Sequence, residues 1–300
     1  MIGFIGLGDM GGALARRLQL MHPLFVYDIN PDAVRRMVEN GAIACKSLSE
    51  LASRCEVILI CLPTSDHVRS VIFGTAGLAD ALRPALRAGT TIIDQTTGEP
   101  MATRAMAAEL AKSGINLIDA PVSGGPQGAE AGTIAIMVGG TLPQLQRVHH
   151  ILAAISPNIF HTGSVGAGQV MKLVNNMLSG AQRLLTLESV ALAVKNGIAS
   201  AKAVEVLLAG GARNSFLEKF MGSQVIKGDL GTAFTLGLMH KDLKLACQLG
   251  SDSGVPLFFA NLSREFYQMC ISERGPGDRV NTAALVMDRL AGTQVVPGAS

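Results

Sequence analysis

The feature that most constrains this chain is a glycine pattern, Gly6-Leu7-Gly8-Asp9-Met10-Gly11, placed directly after the apolar run Ile2-Gly3-Phe4-Ile5 and opening a helix-like stretch from Gly12 to Leu20. Each glycine has a task in such a strand-to-helix turn. Gly6 permits the tight reversal, Gly8 lets the backbone approach a pyrophosphate, and Gly11 lets helix and strand pack closely. Phosphates then rest on the free amides and positive dipole end of the helix. A second apolar run, Leu24-Phe25-Val26-Tyr27, ends in Asp28, at about the 20-residue spacing where an acid meets the adenosine ribose diol. Strand, helix, second strand and acid in register read as a dinucleotide site, with Gly6, Leu7, Gly8, Asp9, Met10, Gly11 and Asp28 as its contacts.

Asp28 also bears on which dinucleotide is bound. A carboxylate accepts both ribose hydroxyls of NAD but meets the 2′-phosphate of NADP with like charge. Tyr27-Asp28-Ile29-Asn30 supplies no arginine against that phosphate, although Arg35 and Arg36 follow, so NAD rather than NADP is expected.

At 300 residues and 48% hydrophobic content the chain can bury a large core and is expected to divide into two domains. The net charge of +2 carries no message about partners, and no lysine or arginine cluster is dense enough to suggest nucleic acid or an anionic membrane. The apolar runs are shorter than a bilayer span, and the chain enters the cofactor strand with neither a basic leader nor a cleavage site, which predicts a cytoplasmic protein. Cys45, Cys55, Cys61, Cys247 and Cys270 form no C-x-x-C pair and no metal spacing, so reduced thiols and no metal site are expected.

Up to about Phe160, short β-rich runs alternate with helical ones, the pattern of an α/β Rossmann-type, doubly wound parallel sheet. Later strands are expected at Val57–Leu62, Thr91–Asp94, Asn116–Asp119 and Ile134–Val138. Helices are expected at about Pro31–Asn40, His67–Phe73, Pro100–Ser113 and Pro143–Ile155, several with proline in the first turn. Ligands in such sheets bind beyond the carboxyl ends of the strands, so Leu62, Pro63 and Thr96 are expected to line the cofactor cleft. After Gly168 the pattern becomes helical throughout. A long helix is expected from about Gly168 to Asn196, ended by Gly197, with others at Ala201–Ala209, Lys241–Ser251, Leu257–Ile271 and Thr282–Leu290. The expected domains are therefore 1–163, binding the dinucleotide, and 164–300, an all-α domain for substrate and oligomerisation. A helix this long and apolar must bury more than one face, between the domains or into a second subunit, and a homodimer or homotetramer is expected.

The joining segment, Gly163-Ser164-Val165-Gly166-Ala167-Gly168-Gln169-Val170-Met171-Lys172-Leu173-Val174-Asn175-Asn176, carries the second signal. Gly168, Lys172 and Asn176 fall on one helix face, with Asn175 close by. A lysine set among Val170, Met171, Leu173 and Val174 loses solvent, which lowers its pKa and suits it to proton transfer. A lysine snorkelling from an apolar helix is the plainer alternative, and the preceding glycines weigh against it by letting a ligand approach the helix start. Asp119-Ala120-Pro121-Val122-Ser123-Gly124-Gly125-Pro126, at a strand end, offers bare amides and a hydroxyl that can hold a carboxylate, although such composition also makes ordinary loops. His240-Lys241-Asp242 is expected to begin a helix, with Lys241 reaching toward the nicotinamide half of the cleft.

With these ordered motifs in hand, the chain resembles the β-hydroxyacid dehydrogenase family over nearly its whole length. The resemblance implies that Lys172 is the catalytic acid/base and that Asn176, with Asn175, orients the substrate. It implies further that Ser123, Gly124 and Gly125 bind the substrate carboxylate and that Lys241 contacts the cofactor. The implied reaction is reversible oxidation of a hydroxyl β to a carboxylate, giving an aldehyde acid. The related 6-phosphogluconate dehydrogenases place a glutamate just after the lysine motif. Asn176-Met177-Leu178-Ser179-Gly180 has no acid, so no decarboxylation is expected. Imine reductases and non-catalytic dinucleotide-binding scaffolds of the same fold are the alternatives, and Lys172 argues against both. 3-Hydroxyisobutyrate, L-serine, glycerate or tartronate semialdehyde, threonate and short sulfonated aldehydes all suit the motifs. Arg213, Asn214, Ser215, Phe216, Phe234 and Asp242 are candidates for shaping the rest of the pocket. A solvated arginine at a helix end is the plainer reading of Arg213.

Overall fold

Nearly continuous apolar runs become strands buried on both faces, as a parallel sheet covered by helices requires. The computed structural model describes residues 1–74 and 82–298. The chain forms two compact units, Met1–Lys172 and Leu173–Ser300.

The first unit runs β1 (Ile2–Ile5), α1 (Asp9–Gln19), β2 (Leu24–Tyr27), α2 (Pro31–Glu39), β3 (Ile43–Ala44), α3 (Leu48–Arg54), β4 (Val57–Ile60), α4 (Ser65–Phe73), β5 (Thr91–Asp94), α5 (Pro100–Ala111), β6 (Asn116–Asp119), β7 (Val122–Ser123), α6 (Gly125–Ala131), β8 (Ala135–Gly139), α7 (Leu142–Ile155) and β9 (Ile159–Gly163). The strand order is β3-β2-β1-β4-β5-β6-β8-β7, with β9 paired to β8. Side chains alternate between the faces. Phe4, Val26, Leu59, Ile93 and Ile118 pack with Leu14, Leu18 and Leu152 on one side. Ile5, Phe25, Ile58, Ile60 and Ile92 pack with Leu51, Ile72 and Leu110 on the other.

Pairing is parallel from β3 through β6, with Ile5 opposite both Tyr27 and Ile60, Ile60 opposite Asp94, and Asp94 opposite Asp119. The loops after these strands therefore leave the sheet at one edge. Because β2 and β4 flank β1 on opposite sides, the connections diverge at that edge, where an open α/β sheet forms its crevice. Beyond β6 the sheet is mixed: β8 runs antiparallel to β6 and β7. β8 lies between β6 and β7 in the sheet, so β6 and β7, joined by Ala120-Pro121 alone, run in the same direction and β8 returns between them. Elements outside the sequence expectations are β3, α3, β7, α6 and β9, all short. Helix α1 begins at Asp9, three residues before the expected Gly12, because packing against the sheet offsets the helix cost of Gly11 and Gly12.

A single long helix, α8 (Ala167–Lys195), carries the chain from the first unit into the second, and Gly197 follows it at φ +85°. The second unit continues with α9 (Ser200–Ala209), α10 (Leu236–Ser253), α11 (Phe258–Arg274) and α12 (Ala283–Ala291). Leu184, Leu187 and Val190 of α8 share a core with Leu236, Met239 and Leu243 of α10, Tyr267 of α11 and Val286 of α12. Helix α10 starts five residues before the expected Lys241. Thr235 caps it by accepting the Leu238 N–H through Oγ1, and Lys241 lies in its second turn. The apolar pattern there is interrupted by Gly237, whose Cβ would sit 2.9 Å from the Pro276 carbonyl oxygen. Among the described residues no helix is long and apolar enough to cross a membrane.

Candidate active site

The glycine loop joins β1 to α1 at the common edge. Gly6 has φ +90°, and a Cβ there would meet the Cys61 carbonyl oxygen at 2.2 Å. At Gly11 a Cβ would meet the Gly6 carbonyl oxygen at 2.0 Å. Both glycines are thus demanded by the protein's own packing. Gly8 differs: it is exposed, and a Cβ built on it meets nothing within 4 Å. The space above Gly8, at the amide end of α1, suits a phosphate approaching the backbone.

Asp28 lies half-buried just past β2. Leu7 N–H donates to its Oδ2 at 2.6 Å and Asn30 N–H to its Oδ1 at 2.7 Å. Two amides therefore hold the carboxylate in a fixed pose, and each oxygen retains lone-pair capacity for a hydroxyl donor. The ends of β4 and β5 are tied in the same way. Leu62 N–H donates to Thr96 Oγ1 at 3.0 Å, and Thr96 N–H donates to Asp94 Oδ1 at 2.9 Å. Pro63 follows, exposed at the same edge. Leu7, Asp9 and Met10 sit in or beside the glycine loop. This chemistry fits a dinucleotide: open amides for the pyrophosphate and a fixed acid for the ribose.

Ser123, Gly124 and Gly125 join β7 to α6, the two glycines at φ +144° and +72°. Ser123 and Gly125 are half-buried and Gly124 is exposed.

Sequence reasoning missed what holds the start of α8. Asp119, 0% exposed, accepts the Gly166 N–H on Oδ1 at 2.7 Å and the Gln169 N–H on Oδ2 at 2.8 Å. Burial pushes its carboxyl above the usual range, against the pull of these amides. The Gln169 carboxamide, also fully buried, accepts the Gly98 N–H and donates to the Thr96 carbonyl oxygen, both at 2.8 Å. These bonds fix the rotation of α8 about its axis, and Lys172, 7% exposed, lies one turn on. A signal was available: Asp28, Asp94 and Asp119 each close an apolar strand run, the first two holding an amide of the loop just beyond and Asp119 holding the start of α8. The glycines of this segment also serve packing: a Cβ at Gly166 would meet Arg104 Nε at 2.8 Å. A Cβ at Gly168 would meet the Met137 carbonyl oxygen at 2.3 Å.

In the second unit, Asn175 Nδ2 donates to Asn176 Oδ1 at 3.0 Å, and Asn176 Nδ2 donates to Asp242 Oδ2 at 2.6 Å. Lys241 Nζ lies 3.1 Å from Asp242 Oδ1. Of the pocket candidates, Arg213 is paired with Glu218 at an exposed position, and Phe216 lies in the core under the Arg183 guanidinium. Asn214 Nδ2 donates to Thr186 Oγ1. Ser215 is exposed and Phe234 half-buried.

Residues 1–163 match the family model described as the NAD binding domain of 6-phosphogluconate dehydrogenase, and residues 166–287 match that of the NAD-binding of NADP-dependent 3-hydroxyisobutyrate dehydrogenase. Among curated relatives, the chain is 35% identical to 2-(hydroxymethyl)glutarate dehydrogenase of Eubacterium barkeri, covering 89% of this chain and 88% of that protein. It is 38% identical to 3-hydroxyisobutyrate dehydrogenase of Pseudomonas aeruginosa over 82% of this chain and 83% of that one. The solved structure of Mycobacterium tuberculosis 3-hydroxyisobutyrate dehydrogenase with L-serine superposes at a TM-score of 0.83 with 28% identity, covering 96% of this chain and 98% of that chain.

Proposed function

The chain belongs to the β-hydroxyacid dehydrogenase family and is an oxidoreductase of the 3-hydroxyacid type with nicotinamide-dinucleotide-binding domains; from that premise we propose that it oxidises a 2-substituted 3-hydroxypropanoate with NAD, using Lys172 as the proton acceptor. The observation that carries this reading is the burial of Lys172 in α8, one turn beyond the Asp119 and Gln169 clamp. Three compounds named with these relatives and with the solved structure share one chemical pattern. 2-(Hydroxymethyl)glutarate, 3-hydroxyisobutyrate and L-serine are all 3-hydroxypropanoates that differ in the group on C2.

In this reading Ser123, Gly124 and Gly125 hold the substrate carboxylate, and Asn175 and Asn176 orient the hydroxyl. Lys172 Nζ, as the neutral amine, takes the hydroxyl proton, and returns it to the carbonyl oxygen in reduction. The bound dinucleotide supplies the hydride acceptor. Gly6, Gly8, Gly11 and the neighbouring Leu7, Asp9 and Met10 bind its phosphates. Asp28 takes the adenosine ribose, which favours NAD over NADP because its fixed carboxylate repels a 2′-phosphate. Leu62, Pro63, Thr96 and Lys241 complete the cofactor contacts. No acid follows the lysine motif, so the reaction stops at the aldehyde acid without decarboxylation. The division of labour is dinucleotide binding by 1–163 and substrate binding and assembly by 164–300, in the cytoplasm.

The outward side of α8 supports an oligomer. Met171, Val174, Leu178, Leu185 and Leu192 are exposed at spacings that lie along one stripe of a helix. A second copy of this chain covering that stripe gives a homodimer or homotetramer, which light scattering on the purified protein reads directly.

The catalytic test is Lys172→Ala and Lys172→Met, assayed on a panel of 2-substituted 3-hydroxypropanoates with NAD and with NADP. Turnover should fall by about a hundredfold to ten-thousandfold while NAD still binds. Turnover at the parent level in either variant overturns the assignment.

A further inference from the structure

Resting on the reading above, we propose that Asp242 is a positioning residue that sets the Asn176 carboxamide and the Lys241 ammonium together through one buried carboxylate. Asp242 is 1% exposed. The other buried positions of α10 are Leu236, Met239, Leu243, Ala246, Cys247 and Gly250, so a lone carboxylate stands on an otherwise apolar face. Burying such a charge is unfavourable, and packing alone would be served as well by leucine.

What the carboxylate does is visible in its partners. Oδ2 accepts from Asn176 Nδ2 at 2.6 Å, and Oδ1 faces Lys241 Nζ at 3.1 Å. A carboxamide can ordinarily flip, exchanging donor and acceptor. An ionised carboxylate only accepts, so the group that Asn176 turns toward it must be the NH2. Oδ1 of Asn176 is thereby held on the other side, where it accepts from Asn175 Nδ2 at 3.0 Å and keeps a second lone pair for a hydroxyl donor. The same carboxylate lies at ion-pair distance from a lysine carried on a half-exposed, flexible stem. The group that orients the substrate hydroxyl and the group that contacts the cofactor are thus fixed by one side chain. Lys241 is the chain neighbour of Asp242, whereas 66 residues separate Asp242 from Asn176.

The test is a pair of double-mutant cycles on the intact protein, with thermal unfolding recorded for each variant. Asp242→Leu removes the acceptor and should lower kcat by about tenfold to a hundredfold, the scale of losing one orienting contact. Asp242→Asn, whose carbonyl can still accept from Asn176, should recover most of that kcat while the KM for NAD rises. In the Asn176→Ala background Asp242→Leu should cost no further kcat, and in the Lys241→Ala background Asp242→Asn should raise the KM for NAD no further. Multiplicative effects in both backgrounds would overturn the proposal, as would a kcat loss that merely tracks a lowered unfolding temperature. Parent-level turnover in Lys172→Ala would instead remove the assignment of Lys172 as proton acceptor, a result that leaves the two cycles independently readable.

Discussion

Alanine at Gly8 and alanine at Gly11 should fail for opposite reasons, and the difference can be worked from the backbone. At Gly11 a new Cβ would lie 2.0 Å from the Gly6 carbonyl oxygen and 3.2 Å from Cys61 Cβ. Real contacts of this kind need about 3 Å or more, so α1 must retreat from the sheet by about 1 Å. Overpacking on that scale costs about 1–3 kcal/mol, and the obstacle is backbone, which cannot swing aside. Alanine's better helix propensity returns at most about 1 kcal/mol. A net loss of about 1–2 kcal/mol lowers the unfolding midpoint by roughly 2–8 °C in a chain of this size. At Gly8, φ −64° and ψ −169° are open to alanine and the Cβ meets no atom within 4 Å, so stability should change by no more than about 0.5 kcal/mol. The methyl group would instead occupy the space over the α1 amides, and NAD affinity should drop by about a hundredfold or more. Thermal unfolding without ligand and titration calorimetry with NAD separate the two effects. A Gly8→Ala protein binding NAD as the parent does, or a Gly11→Ala protein as stable as the parent, would refute the reasoning.

Asp28→Ser should reduce the preference for NAD over NADP by about tenfold or more in kcat/KM, measured with both cofactors, because it removes the like charge that faces a 2′-phosphate. Asp119→Asn turns an amide donor toward either the Gly166 or the Gln169 N–H inside the protein. It should cost about 2–4 kcal/mol in denaturant unfolding and lower turnover together with it. Burial raises the thiol pKa of Cys45 to about 11 and of Cys55 and Cys270 to about 12. Since only the thiolate reacts, these thiols are protonated at pH 8 to all but about a thousandth part or less, and iodoacetamide should leave them unmodified in the native protein. Rapid alkylation of any of the three at pH 8, read by mass spectrometry, would contradict that.

The amino-acid sequence by itself determined the parts whose physics is local. Strands β1, β2, β5 and β6 were legible to the residue, because each is a short apolar run cut off by an acid or a turn. The glycine loop was legible because each glycine answers a conformational need within a few residues of itself, and α8 because its helical period runs unbroken to Gly197. Only the tertiary structure decided what depends on residues far apart. The reversal of the sheet after β6 follows from pairing with β8, and the extra turn of α10 from Gly237 packing on Pro276. The apolar period around Lys172 says nothing of its anchors. Those are Asp119 at the start of α8 and Gln169 bridging to Thr96 and Gly98, contacts that span 47 to 73 residues of chain. In the same way the sequence offers Asp242 as a candidate for shaping the pocket but says nothing of Asn176 as its partner. Only folding strips it of water and leaves Asn176 and Lys241 as the partners of its charge.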